Sequence, residues 1–415
     1  MAVPPIQFLV STIEEKPFFV KQITLAPGYG NSSESRGFLH DFFLEGNTRA
    51  RKGGEALKQF VCNTKIISGE NALDALKELA AKKVMVITDP FFMENGMAAA
   101  IGARAGGEIR YFGKVTPDPS VQLAAEGTAA LKAFGPDLII ALGGGSAMDC
   151  AKAMVYFSGT DARFVAIPTT SGSGSEVTDF AILTHNGVKH PVVDPKMRPD
   201  MAILDPCLLE KLPKGLIADT GFDVICHALE AYVATGANAV TDALAKDAFC
   251  TAFALLPASY GGDRSVRQEI HLAATMAGMA FTQAGLGLCH ALAHALGGAF
   301  HVPHGRLNAI LLPAVIDCNA HASASRYAQI AGAAGIGGSA GSLAVRNLKN
   351  ALVRLRRELQ LPDTLAQAGV DPRAVRAQTA ALAEAALADP CCATNPLKPE
   401  PFMVRRILEA VTGHG

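Results

Sequence analysis

Four of the chain's 11 histidines fall within the 15 residues from His290 to His304, in the stretch CHALAHALGGAFHVPHG. His290 and His294 are four apart, so on a helix they share a face. His301 and His304 come after Gly297-Gly298, a pair expected to end or loosen that helix. Upstream, GFDVICHALEAY (Gly221–Tyr232) repeats the relation with Asp223 and His227 on an apolar-periodic helix. A carboxylate beside an imidazole at a crevice is half of a metal site, or simply a hydrogen-bonded pair. Asp223, His227, His290 and His304 together would offer one oxygen and three nitrogens to a cation. Spacing alone leaves open which of His290, His294, His301 and His304 ligate. A lone histidine is structural more often than not, but four so close together, with a matching Asp/His pair elsewhere, favour a metal. A zinc-protease HExxH is excluded by Ala291 at the place of the base glutamate, and a Cys-rich structural zinc site by the lack of paired cysteines.

A second chemistry lies earlier in the chain. ALGGGSAMDCAK (Ala141–Lys152) follows a strand pattern and opens a helix, so the amides of Gly144, Gly145 and Ser146 can face a phosphate. Ser146 suits the N-cap and Asp149 completes a capping-box spacing. The stretch is neither GxGxxG nor a Walker loop. IPTTSGSGSEVT (Ile167–Thr178) also leaves a strand and carries hydroxyls at Thr169, Thr170, Ser171, Ser173 and Ser175. Two such turns suit a dinucleotide. Asp89, at the end of KVMVITD, can accept from ribose hydroxyls and repel a 2′-phosphate, favouring NAD over NADP; a turn aspartate before Pro90 explains it equally well.

Elements must position these groups. Between Phe60 and about Leu212, apolar strand patterns (Lys83–Asp89, Ile109–Gly113, Leu138–Leu142, Phe164–Thr170) alternate with Ala-rich helical ones such as Val121–Phe134. That alternation predicts a doubly wound parallel sheet. After Pro213 strand patterns almost vanish. The expected organisation is an N-terminal extension over 1–59, a dinucleotide-binding α/β domain over 60–213 and an all-α metal-binding domain over 214–415, with the ligand crevice at the strand ends. In the extension, Ser35–Glu45 places Phe38, Leu39, Phe42 and Phe43 on one helical side, which suits docking on the same protein, a sister subunit or another protein.

Composition excludes several classes of function. The 415 residues are 49% hydrophobic and 18% charged, with a formal net charge of -1 and no tryptophan. Beyond a short run near Arg49–Lys52 there is no basic cluster for nucleic acid or an anionic membrane surface, and stacking platforms are few. No apolar run approaches the ~20 residues of a membrane helix. The N-terminal residues carry no secretory pattern, and the nine cysteines form no framework, so a reducing cytoplasm is expected.

GGGSAMDCAK, AIPTTSGSGSEVT, PDMAILDP, GFDVICHALEAY and GMAFTQAGLGLCHALAHALGGAFHVPHG together resemble the iron-containing (group III) alcohol dehydrogenases, in order from about Cys62 to the C-terminus. ITDP, VTPDPS and ALADPCCATNP are most similar to the 1-propanol dehydrogenases of propanediol-utilising bacterial microcompartments. The resemblance implies that Asp223, His227, His290 and His304 ligate the metal. His294 would be the non-ligand histidine that moves a proton, and Gly144, Gly145 and Ser146 the pyrophosphate loop. Thr169, Thr170, Thr178 and Lys189 would be cofactor contacts, and Asp89 the adenosine-ribose acid. His301 matches no ligand and is expected to pack or line the pocket. Cys226 and Arg306 depart from the family pattern near the cleft, leaving substrate size and charge preference open.

The implied activity is reversible hydride transfer between NAD(H) and a short primary alcohol or aldehyde. The metal would be Fe(II), although Zn(II) binds mixed imidazole–carboxylate sites more tightly. Implied partners are a small-molecule substrate, further copies in a homo-oligomer, and a microcompartment shell or cargo protein reached through residues 1–59. A zinc-dependent polyol dehydrogenase, a related synthase using NAD transiently, and a scaffold with a vestigial site are the competing readings. The filled set of ligand positions weighs against the last.

Overall fold

The computed structural model describes residues 59–415 apart from 186–187, 339–340 and 414–415. Chain contacts separate Met1–Gln59 from a single compact unit, Phe60–Gly415. The expected helix at Ser35–Glu45 lies outside the described residues.

The unit begins with a parallel sheet: β1 (Lys65–Ser68), β2 (Lys83–Ile87), β3 (Glu108–Phe112), β4 (Leu138–Gly143), β5 (Arg163–Pro168) and β8 (Met201–Leu204). Their order is β1-β8-β5-β4-β2-β3, and every pairing is parallel. β4, LIIALG, is buried at every position, as a central strand covered on both faces must be. Helices α1 (Pro90–Glu94), α2 (Met97–Ala105), α3 (Val121–Phe134) and α4 (Gly145–Ser158) make the crossovers. α3 is bounded as its sequence suggests: the Ser120 side chain accepts from the Leu123 amide, and Gly135 stops it at φ 62°. After β2 the chain steps outward to β3, then returns to β4 on the other side of β2. The carboxyl ends of β2 and β4 therefore flank the topological switch point, where such sheets bind ligands. β1, β8 and an antiparallel hairpin, β6 (Phe180–His185) with β7 (Val188–Val193), were not anticipated. The strand patterns of β1 and β8 span only four residues each, too short to stand out from loop sequence.

Beyond Leu204 the described residues contain only helices: α5 (Lys214–Val233), α6 (Ala239–Gly261), α7 (Arg267–Ala284), α8 (Leu288–Phe300), α9 (His304–Ala333, kinked at Ser323), α10 (Gly341–Glu358), α11 (Pro372–Ala388) and α12 (Pro401–Thr412). α5 packs against α6, α7 and α9 and is buried almost all round, so it forms the axis of this half. Side chains such as Phe222, Ile225 and Leu229 are at most 1% exposed, and burying each stabilises the fold by roughly 1.5–3 kcal/mol. No single described helix is long and apolar enough to cross a membrane.

Candidate metal and cofactor site

Asp223 and His227 sit one turn apart on the buried axis α5, while His290 enters from the first turn of α8 and His304 from the first residue of α9. One donor atom from each of the four lies within 4.8 Å of all the others. Oδ1 of Asp223 is 3.7 Å from Nε2 of both His290 and His304, and its Oδ2 is 3.9 Å from Nδ1 of His227. These gaps are too long for hydrogen bonds. They match the spacing of donors that share one ion at about 2.1 Å each. Nδ1 of His227 is buried with no hydrogen-bond partner, an unusual state for such a nitrogen. The residues present fit a divalent cation.

Packing fixes the rings. His227 stacks between Phe281 and His290, with centroids 4.5 and 4.4 Å away, and His304 is tilted against His290 at 5.2 Å. α9 can start this close to α5 because residue 305 is glycine: a Cβ there would collide with the Asp219 carbonyl and lie 3.2 Å from the Asp223 Cβ. Burial pushes the His227 imidazole down to about 3 against the pull of Asp223, and it also holds His304 well below its ordinary value. Both shifts favour the neutral ring, the form that can ligate. Burial alone would raise the Asp223 carboxyl, but His227, His304 and His290 outweigh it and keep the group ionised.

His294 lies one turn after His290 but joins a different set. Its Nδ1 is 2.8 Å from Oδ2 of Asp389, and its ring stacks on His304 at 5.2 Å. A carboxylate only accepts, so Nδ1–H donates and Nε2 is left as the free basic nitrogen. Asp389 is fixed in turn by the Cys391 amide at the start of a short 3-10 turn, Pro390–Thr394. That turn is tied to the entry of α8: the Thr394 hydroxyl donates to the Leu286 carbonyl, and Asn395 Oδ1 accepts from the Leu288 amide.

Asp389, Glu230 and Asn308 are absent from the sequence-based set. The Asn308 amide nitrogen donates to Asp223 Oδ1 at 2.7 Å and lies 3.2 and 3.3 Å from Nε2 of His304 and His290. Glu230 backs His290 on its other nitrogen. Two of the three carried a usable signal, since Glu230 follows His227 by three residues and Asn308 follows His304 by four, each on its ligand's helix face. Asp389, 95 residues from His294, had no spacing signal, although it lies within the ALADPCCATNP stretch.

On the sheet side, Gly143 (φ 149°) turns the chain out of β4 and Gly144 is the N-cap of α4. A Cβ on Gly144 would lie 3.2 Å from Thr170 Oγ1, and one on Gly145 3.3 Å from Ser173, so the two polar turns face each other across bare backbone. That surface, at the N-terminus of a 14-residue helix, fits a pyrophosphate. The capping box is not formed. Ser146 lies inside the helix, and Asp149 instead accepts from the Ser175 hydroxyl and the Ile182 amide, holding the second loop. Thr169 is buried with its amide on the Gly143 carbonyl. Thr178 is fully buried, and its hydroxyl accepts from the Lys152 ammonium at 2.6 Å, bracing the loop from beneath. Asp89 caps α1 through Oδ1, while its Oδ2 is 3.7 Å from where a Cβ on Gly143 would stand. It thus serves its turn and also faces the glycine turn.

Both sites open on one seam. Between Thr170 and Ser173, which face the glycine turn, Gly172 packs on Thr220 of α5, one turn before Asp223, and Gly174 packs on Gly278 of α7. Lys189 of β7 pairs with Asp118 at 2.7 Å and reaches toward Gly297 of α8. Two expectations need correction. His301 is exposed rather than packed; with φ 55° it is the C-cap of α8, which runs through Gly297-Gly298 because those glycines keep helical geometry. Cys226 is fully buried 3.9 Å from Nδ1 of His290, on the side away from Asp223, and the Arg306 guanidinium is neutralised by a two-point pair with Asp219.

Residues 63–206 match the iron-containing alcohol dehydrogenase family, and residues 217–412 match the Fe-containing alcohol dehydrogenase family, C-terminal. The chain is 41% identical over 371 residues to the 1-propanol dehydrogenase PduQ of Citrobacter freundii, covering 85% of this chain and 99% of the relative. It is 36% identical to the NADPH-dependent butanol dehydrogenase of Clostridium saccharobutylicum, covering 86% and 98%. The solved iron-containing alcohol dehydrogenase of Thermococcus thioreducens superposes with a TM-score of 0.80 at 32% identity, covering 85% and 99%.

Proposed function

Because this chain belongs to the iron-containing alcohol dehydrogenase family, we propose that it interconverts a short primary alcohol and its aldehyde, of the 1-propanol/propionaldehyde type, with NAD(H). The observation that carries the reading is the convergence of Asp223, His227, His290 and His304 within 4.8 Å, reached through the same loop that faces the glycine turn. When bound, the cation supplies a Lewis acid for the substrate oxygen and the nicotinamide supplies the hydride carrier. Fe(II) is the metal proposed, with Zn(II) as the alternative.

The chain's own residues do the rest. Gly144, Gly145 and Ser146, with Thr169 and Thr170, cradle the pyrophosphate. Asp149, Thr178 and Lys152 hold the loop in place, and Lys189 guards the seam beside α8. Asp89 accepts from the ribose and puts a negative charge against a 2′-phosphate, which favours NAD(H) even though one relative is NADPH-dependent. His294, steadied by Asp389, accepts or releases the proton at Nε2. Phe281 stacks on His227 and holds that ring in place. For residues 1–59, which lie outside both family matches, the proposal is a separate docking role toward a microcompartment shell or cargo protein.

The test is anaerobic NADH oxidation with propionaldehyde by chelator-stripped protein, before and after Fe(II) or Zn(II) is restored. The stripped form should be inactive and Fe(II) should restore turnover. Equal rates with and without metal would end this reading, and restoration by Zn(II) alone would reassign the metal.

A further inference from the structure

Glu230 lies on α5 seven residues beyond Asp223, on the helix face that already carries Asp223 and His227. It is 3% exposed, and beyond its contact with His290 it has been given no role in the chemistry above. Its oxygens are fully engaged by α8. Oε1 accepts from the Cys289 amide at 2.7 Å; Oε2 accepts from the Gly287 amide at 3.1 Å, the His290 amide at 3.3 Å and His290 Nδ1 at 2.6 Å. The free amides and positive end of α8 offset the cost of burying this carboxylate. A carboxylate has no proton to give, so the hydrogen is on Nδ1 of His290. In the neutral ring that ligation requires, the lone pair is then on Nε2, the nitrogen 3.7 Å from Asp223 Oδ1.

We propose that Glu230 is a positioning residue for the metal centre, holding His290 by both backbone and ring in the one tautomer that can ligate through Nε2. The inference rests on the metal reading above. A purely structural alternative exists, because Glu230 also caps α8. Asn395 separates the two roles: its Oδ1 accepts from the Leu288 amide at the same helix end and does not touch His290.

The experiment titrates chelator-stripped full-length protein with Co(II), following affinity and the visible ligand-field spectrum alongside the melting temperature. Glu230→Gln should weaken Co(II) about 10- to 100-fold and move the spectrum toward that of His290→Ala. Asn395→Ala should melt earlier yet bind Co(II) with wild-type affinity and spectrum. The proposal is overturned if Glu230→Gln binds within about twofold of wild type with an unchanged spectrum, or if Asn395→Ala loses as much affinity. Should Glu230→Gln not fold, Glu230→Asp, which keeps the anion but shortens its reach, is judged by the same two criteria. Wild-type Co(II) binding by Asp223→Asn would remove the metal reading itself, and the proposal with it.

Discussion

Replacing His294 by alanine leaves all four clustered donors in place, so metal content measured by elemental analysis should be unchanged. Turnover should fall by about 10²–10⁴, the usual worth of a positioned acid–base group; a metal content halved or lower would instead make His294 a ligand. At Asp89, Asp89→Gly removes the charge beside Gly143 and the cap of α1. The kcat/KM ratio of NADPH to NADH should rise at least about tenfold, the effect of relieving like-charge repulsion worth roughly 1.4 kcal/mol; an unmoved ratio would leave Asp89 a turn residue. At this scale the sequence was legible wherever chemistry followed helix spacing. Asp223 and His227 were nameable as a pair because i, i+4 residues share a face, whereas spacing left His290, His294, His301 and His304 open and only the family resemblance singled out His290 and His304. Asp389 was not nameable by spacing, because tertiary folding alone brings it to His294. His301 misled for a related reason: a histidine in the left-handed region reads like any other in a string of letters.

Elements carry the next predictions. Gly305→Ala forces α9 away from Asp219 and should destabilise the protein by about 1–3 kcal/mol while lowering metal occupancy. Wild-type melting and metal content would mean the two helices are not held in contact. Lys152 on α4 is fully buried, and burial pushes its ammonium down to about 8. Below pH 8 both folded and unfolded forms are charged, and the full cost of burial is present. Between about 8 and the ordinary lysine value near 10.4 the unfolded chain holds more protons, so stability rises with pH. Relative to Lys152→Met, the wild type should gain on the order of 3 kcal/mol across that window in denaturant melts; a flat difference would contradict the account. Long apolar strands and buried helices were readable from their periods. The four-residue strands β1 and β8 and the β6–β7 hairpin were not, since strands so short gain their identity from the neighbours they pair with.

The whole molecule was readable as a parallel α/β half followed by a helical half, because the change in period after Pro213 follows the change in packing. Its seam was not readable, since loop 171–178 reaches α5 and α7 only in three dimensions. Deleting residues 1–59 should leave turnover intact and abolish co-purification with shell or cargo; unchanged co-purification would remove the docking role. The claim on which the rest depends is that one cation is held between the helices. Anomalous diffraction at the iron edge from Fe(II)-loaded crystals measures this directly. The account predicts a single peak enclosed by Asp223, His227, His290 and His304. A peak instead among His294, Asp389 and Cys391, or no peak between α5, α8 and α9, would contradict it.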